Sequence, residues 1–267
     1  MGKKGILKVF ISSTYRDLKD VRRLLLQGVE GALEAVAMEK FVPVDKSPHD
    51  EAIQHLEKSD ICIFIIGDYY GTVIEDCTIR TDACGDCKGG ISYTHCEYRR
   101  AKNAEKPHMV YIVENEISDI LSKIEKFDLE STEQNDILEF LRRNNISCSK
   151  ARLFSGYTPQ EIKERWKMTE DKNKEKLDKF KEEISKSGLE LYGSVNISKE
   201  EDYYSLCQII KKHLKENIIR WYQEGRIKFA EFAGRREELQ ELNDKLHEKN
   251  SYVWWVQEVL GRHHLFK

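Results

Sequence analysis

The chain has 267 residues, with 44 basic against 47 acidic side chains, a formal net charge of -3 and 34% charged residues. That length holds one large domain with a real core, or one domain plus a fragment of another. The balanced charge removes the case for a nucleic-acid binder driven by bulk electrostatics, and the apolar residues recurring among the charges argue for solvated helices over disorder. No apolar run reaches the ~18 residues a membrane span requires, the longest being Ile61 to Gly67. The start, MGKKGILKVF, lacks an apolar core and a cleavage site, and Ile6 stands where a myristoylation signal needs Ser or Thr. The expectation is a cytoplasmic protein with no membrane or nucleic-acid partner.

Leu7 to Ser12 (LKVFIS) reads as a buried strand. From Asp17 to Met38, apolar residues at Leu18, Val21, Leu24, Leu25, Val29 and Leu33 follow helical spacing, with Ser13, Thr14 and Asp17 available as caps. Phe41 to Val44 reads as a second strand and His49 to Lys58 as a short helix. Asp60 to Gly67 (DICIFIIG) is continuously apolar, as suits a central parallel strand covered on both faces. Residues 68–91 form a loop rich in Gly, Asp and Cys. Thr94 to Glu105 then reads as a helix, and His108 to Val113, introduced by Pro107, as a strand. Alternation of strand and helix predicts right-handed crossovers and a parallel sheet.

Residues 116–187 read as an insertion of charged helix, Ser131 to Asn144 and then Pro159 to Ser187, with solvated faces. Leu189 to Val195 reads as the last strand. Glu200 to Tyr222 is an amphipathic helix that packs back on the sheet through Leu206, Ile209, Ile210, Leu214, Ile218 and Trp221. The predicted organisation is an α/β domain over 1–222 and a tail over 223–267.

Seven cysteines without a secretory signal do not read as a disulfide framework, yet Cys77, Cys84, Cys87 and Cys96 fall within twenty residues. Cys84-Gly-Asp-Cys87-Lys-Gly has the form of a thiolate knuckle. With Cys77 before it and Cys96 or His95 after, it predicts a structural tetrahedral zinc; unrelated reduced thiols in a loop are the alternative.

The blocks KVFISSTYRDLKDVR, KSDICIFIIGDYYG, and SYTHCEYRRA followed by KPHMVYIV resemble a widespread domain of unknown function found in front of STAND-class signalling NTPases. Its layout is similar to TIR domains and nucleoside deoxyribosyltransferases. The resemblance covers 5–113 well and 189–222 loosely. It implies a three-layer, flavodoxin-like parallel sheet with a helical insertion and a C-terminal helical tail. It also implies a nucleotide-binding effector of defence or signalling that cleaves the N-glycosidic bond of NAD or a nucleoside. The alternative is a non-enzymatic adaptor that works by self-association. The tail FAGRREELQELNDKL resembles the linker ahead of a NACHT-type P-loop, but LGRHHLFK follows and no Gly-Lys-Ser/Thr does. A truncated NTPase start with no ATP binding is expected there.

In open parallel sheets, ligands bind beyond the carboxyl ends of the strands. The candidate nucleotide-binding residues there are Ser12, Ser13, Thr14, Tyr15 and Arg16 after the first strand, and Gly67, Asp68, Tyr69 and Tyr70 after the third. Hydroxyls and helix-terminal amides suit phosphate or ribose, and tyrosines suit a base. By the resemblance, Glu97 stands in the place of a catalytic glutamate, ionised to stabilise or attack a ribosyl cation. Thr94-His95-Cys96-Glu97 also reads as a capping box, and Thr14-x-x-Asp17 as a second one. Tyr69 and Tyr70 also read as packing residues at the rim, and Asp60 as a turn cap.

Overall fold

The computed structural model describes residues 7–30, 33–38, 47–75, 77, 89–129, 134–154, 157–169, 173–186, 191–196 and 200–227. Its elements are β1 (Lys8–Ser13), α1 (Tyr15–Val29), β2 (Glu34–Val36), α2 (Pro48–Lys58), β3 (Ile61–Ile66), α3 (Tyr93–Asn103), β4 (His108–Glu114), α4 (Glu116–Leu121), α5 (Gln134–Arg143), α6 (Cys148–Ala151), α7 (Pro159–Thr169), α8 (Lys174–Lys186), β5 (Leu191–Asn196) and α9 (Glu200–Gln223). The five strands form one parallel sheet in the order β2-β1-β3-β4-β5. This 2-1-3-4-5 order is the flavodoxin-like arrangement, whose topological switch point lies between β1 and β3.

Side chains alternate across the sheet with a period of two. Val9 and Ile11, Ile61, Ile63 and Ile65, and Met109, Tyr111 and Val113 face one layer. There they pack with Leu18, Val21 and Leu25 of α1 and Leu206, Ile210, Leu214, Ile218 and Trp221 of α9. Phe10, Phe64, Ile66, Val110 and Ile112 face the other layer, against Ala52 and Leu56 of α2, Tyr98 and Ala101 of α3, and Leu177, Phe180 and Ile184 of α8. The strands expected at 7–12, 60–67, 108–113 and 189–195 correspond to β1, β3, β4 and β5, and the expected closing helix to α9.

Two expectations change. The first helix ends at Val29 instead of Met38, and the three residues Glu34–Val36 form the edge strand β2, paired as Lys8↔Glu34, Val9↔Ala35 and Phe10↔Val36. Leu33, Ala35 and Ala37 bury a period-two face that the helical reading absorbed. The strand expected at 41–44 lies outside the described residues, as do 228–267 with the expected P-loop fragment. Second, the insertion is not solvated throughout. Ile117, Ile120, Leu121 and Ile124 join Ile137, Phe140, Leu141, Phe154 and Ile162 in a separate core. Beyond it, α8 lies on the sheet layer. Burying Leu177, Phe180 and Ile184 there is worth about 5–9 kcal/mol gross, before ordering entropy. That is too large to leave α8 as a free charged helix.

Candidate functional site

Two loops leave the sheet at the switch point. After β1 the chain turns through Thr14, which is extended (φ -67, ψ 141), into α1. Thr14 lends α1 no side-chain cap. Its hydroxyl instead donates to the Asp17 carboxylate, so the expected capping box does not close. Asp17 also accepts from the backbone amides of Asp68 (2.9 Å) and Tyr69 (3.1 Å), in the loop after β3. One carboxylate thus clasps both loops. The approach is tight: a Cβ on Gly67 would sit 2.2 Å from Asp17 Oδ2, so any side chain here must displace that carboxylate. Gly71 turns the same loop with φ +88, against Thr14 and Ser92. Burial pushes the Asp17 carboxyl up to about 6, against the lowering effect of its hydrogen bonds. Immediately after it, Leu18 leaves helical geometry (φ -118, ψ 15), so the first turn of α1 is kinked off the rest.

Glu97 is carried by α3. The N-cap of that helix is Ser92, whose hydroxyl accepts from the His95 amide. The register is therefore two residues earlier than Thr94-x-x-Glu97 supposes, and Glu97 is released from capping. It faces the carboxyl end of β1, where Ser12 Oγ donates to its Oε2 at 2.5 Å. Glu97 is 3% exposed and Ser12 2%. Burial pushes the glutamate up to about 7, with the Ser12 bond and the nearby Arg22 charge opposing. Burial thus works against the ionised form that the resemblance implies for this glutamate. Arg22, buried on the sheet side of α1, donates to both the carbonyl and the hydroxyl of Ser13 at 3.0 Å.

Of the other expected site residues, Tyr15 is 57% exposed, and the Arg16 guanidinium lies 5.2 Å from the Tyr69 ring centroid. Tyr70 is buried instead of lining a rim. Its hydroxyl meets His95 Nδ1 at 2.8 Å and also bonds Ser92. Asp68 lies 3.9 Å from Lys181 of α8; burial raises its carboxyl, while Lys181 and Ser118 counter. Asp60 accepts from the Lys8 amide at 2.8 Å, tying the start of β1 to the start of β3.

His95 has both ring nitrogens engaged: Tyr70 on Nδ1, and Glu183 of α8 on Nε2 at 3.1 Å. Cys96 is buried, its Sγ 3.7 Å from His49 Nε2. Cys77 is partly buried, and Cys84 and Cys87 lie outside the described residues. Among the described residues no three His, Cys, Asp or Glu side chains are grouped to hold a metal.

Sequence reasoning missed Arg22, the clasp role of Asp17, and Glu183. Arg22 carried a signal: it sits among Leu18, Val21 and Leu25 on the apolar stripe of α1. Glu183 did too, being three residues from Phe180 and next to Ile184 on the stripe of α8.

Fold and site together define a flavodoxin-like α/β domain with a buried carboxylate at its switch point. The chain belongs to the family described as Domain of unknown function (DUF4062), which it matches over residues 8–215. No curated protein matches it significantly. No helix among the described residues is long and apolar enough to cross a membrane.

Proposed function

We propose that this domain binds a nucleotide at the switch point and cleaves its N-glycosidic bond, with Glu97 as the catalytic carboxylate. The reading extends the likeness to TIR domains and deoxyribosyltransferases, and with it a role as the effector module of a signalling NTPase. The observation that carries it is the Ser12–Glu97 pair. A glutamate free of helix capping is held at the carboxyl ends of the strands by a hydroxyl at 2.5 Å.

In this mechanism the Glu97 carboxylate attacks or shields the anomeric carbon of the ribosyl group as the C1′–N bond breaks. With NAD, the pyridinium leaves as neutral nicotinamide, taking the bond's electron pair. Water then supplies the hydroxyl at C1′ and releases a proton, with the carboxylate restored. A cationic pyridinium beside Glu97 favours the ionised form, offsetting the burial that raises its pKa. Ser12 orients the carboxylate, Arg16 with Tyr69 offers a stacking surface for a base, and the first amides of α1 suit a phosphate. Because Glu97 is 3% exposed, turnover in this reading requires a rearrangement that opens the site.

The test is release of nicotinamide from NAD, or of base from nucleosides, by the full chain at high concentration and on a clustering scaffold. Turnover that disappears in Glu97→Gln supports the reading. Self-association without turnover of any nucleotide supports the adaptor alternative.

A further inference from the structure

The polar contacts of α8 converge on the pieces of the candidate site. Lys176 donates to the carbonyl of Gly90 at 3.0 Å, ahead of α3. Lys181 faces Asp68 after β3. Phe180 stacks on the His95 ring, centroids 4.0 Å apart and planes at 16°. Glu183 is the centre of this contact. It accepts from Arg99 Nε at 3.1 and 3.2 Å and from Arg99 Nη2 at 2.5 Å, and it meets His95 Nε2 at 3.1 Å. His95 and Arg99 are four residues apart, so they share one face of α3. The chain of bonds continues through His95 Nδ1 to the Tyr70 hydroxyl and on to Ser92, the residue that caps α3.

Glu97 is two residues from His95 and two from Arg99. At about 100° per residue it projects from nearly the opposite side of α3, toward Ser12. The helix is therefore gripped on one side by the insertion and presents its carboxylate on the other. We infer that Glu183 is a positioning residue for Glu97: by holding His95 and Arg99 it sets the rotation of α3 and so the placement of the carboxylate against Ser12. The lever is sensitive. With an arm of about 6 Å from helix axis to carboxylate, a rotation of about 10° moves the carboxylate by about 1 Å. Errors of that size are enough to degrade catalysis substantially. The helical insertion is on this account part of the site. The inference rests on the catalytic reading for its consequence, while its geometry is tested separately.

Two variants of the full chain test it. Glu183→Ala removes the acceptor; Glu183→Gln keeps an oxygen for His95 and Arg99. Crystal structures are expected to show the Ser12–Glu97 hydrogen bond lost in the alanine variant and kept in the glutamine variant. In solution, the amides of residues 93–97 should exchange faster in Glu183→Ala, with those of 61–66 unchanged. In the clustered turnover assay, Glu183→Ala should lower kcat about tenfold or more at a nearly constant KM, and Glu183→Gln should recover most of it. An alanine variant that keeps the Ser12–Glu97 bond, or that loosens α3 and β3 equally, overturns the inference. Wild-type protein without turnover overturns the glycosidase reading alone, since the structural and exchange measurements still decide the role of Glu183.

Discussion

Asp17→Asn probes the clasp between the two site loops. Asp17 accepts from the Thr14 hydroxyl and from the amides of Asp68 and Tyr69. Asparagine can keep this pattern by accepting the two amides on its oxygen and donating to Thr14 Oγ1 with its nitrogen. What it removes is the charge. The folded-state carboxyl is pushed by burial to about 6, from an ordinary 3.8. A raised folded pKa means that the stabilising contribution is complete below the unfolded value and is lost as pH rises through the folded one. At about 1.4 kcal/mol per unit, the full loss is about 3 kcal/mol between acid and neutral pH. Asp17 keeps partial solvent exposure, so this is an upper bound. Between pH 5 and pH 7 the same titration gives roughly 1 kcal/mol. Urea unfolding of both proteins at several pH values isolates it, because other titrating groups cancel in the difference. Wild type minus Asp17→Asn should fall by about 1 kcal/mol from pH 5 to pH 7 and then flatten. A difference that stays level or rises over that window would refute the argument that burial dominates at Asp17.

Four further outcomes are expected. Glu97→Gln should abolish nucleotide cleavage without lowering the melting temperature, since the neutral side chain still accepts from Ser12 and the charge it removes is one that burial disfavours; retained turnover would remove Glu97 from catalysis. Ser12→Ala leaves a buried carboxyl without that donor and should cost about 1–3 kcal/mol in urea unfolding. Gly67→Ala must displace the Asp17 carboxylate, and both a loss of more than about 1 kcal/mol and shifted Asp68 and Tyr69 amide resonances are expected; an unperturbed variant would show that the clasp is dispensable. Finally, a structural zinc on Cys77, Cys84, Cys87 and either Cys96 or His95, as the cysteine spacing suggests, predicts about one zinc per chain by elemental analysis, lost with reduced thermal stability in Cys84→Ser; metal-free protein of unchanged stability would point to unrelated thiols.

The sequence by itself determined the central strands of the sheet. Three runs of buried apolar residues, at β1, β3 and β4, admit little but parallel strands covered on both faces. The polar turns that follow the first two mark the edge where a site belongs, and the long stripe of α9 has to lie on an apolar surface. These are local patterns, carried by burial and periodicity within one segment. Features that depend on a choice between near-equal local options were decided by tertiary structure. Ser92 and Thr94 both suit an N-cap, and only the contacts of Ser92 with Tyr70 and of Glu97 with Ser12 select the register that frees the glutamate. Leu33, Ala35 and Ala37 fit a helical continuation and a short strand alike, and pairing with β1 settles it. Glu183 stands among many charged residues of similar spacing. What distinguishes it is that folding carries it across the sheet layer to His95 and Arg99, 84–88 residues earlier in the chain, where partial burial makes its ion pair specific. Long-range polar partners have no periodic signature, because they are fixed by where the backbone ends up and not by the residues on either side.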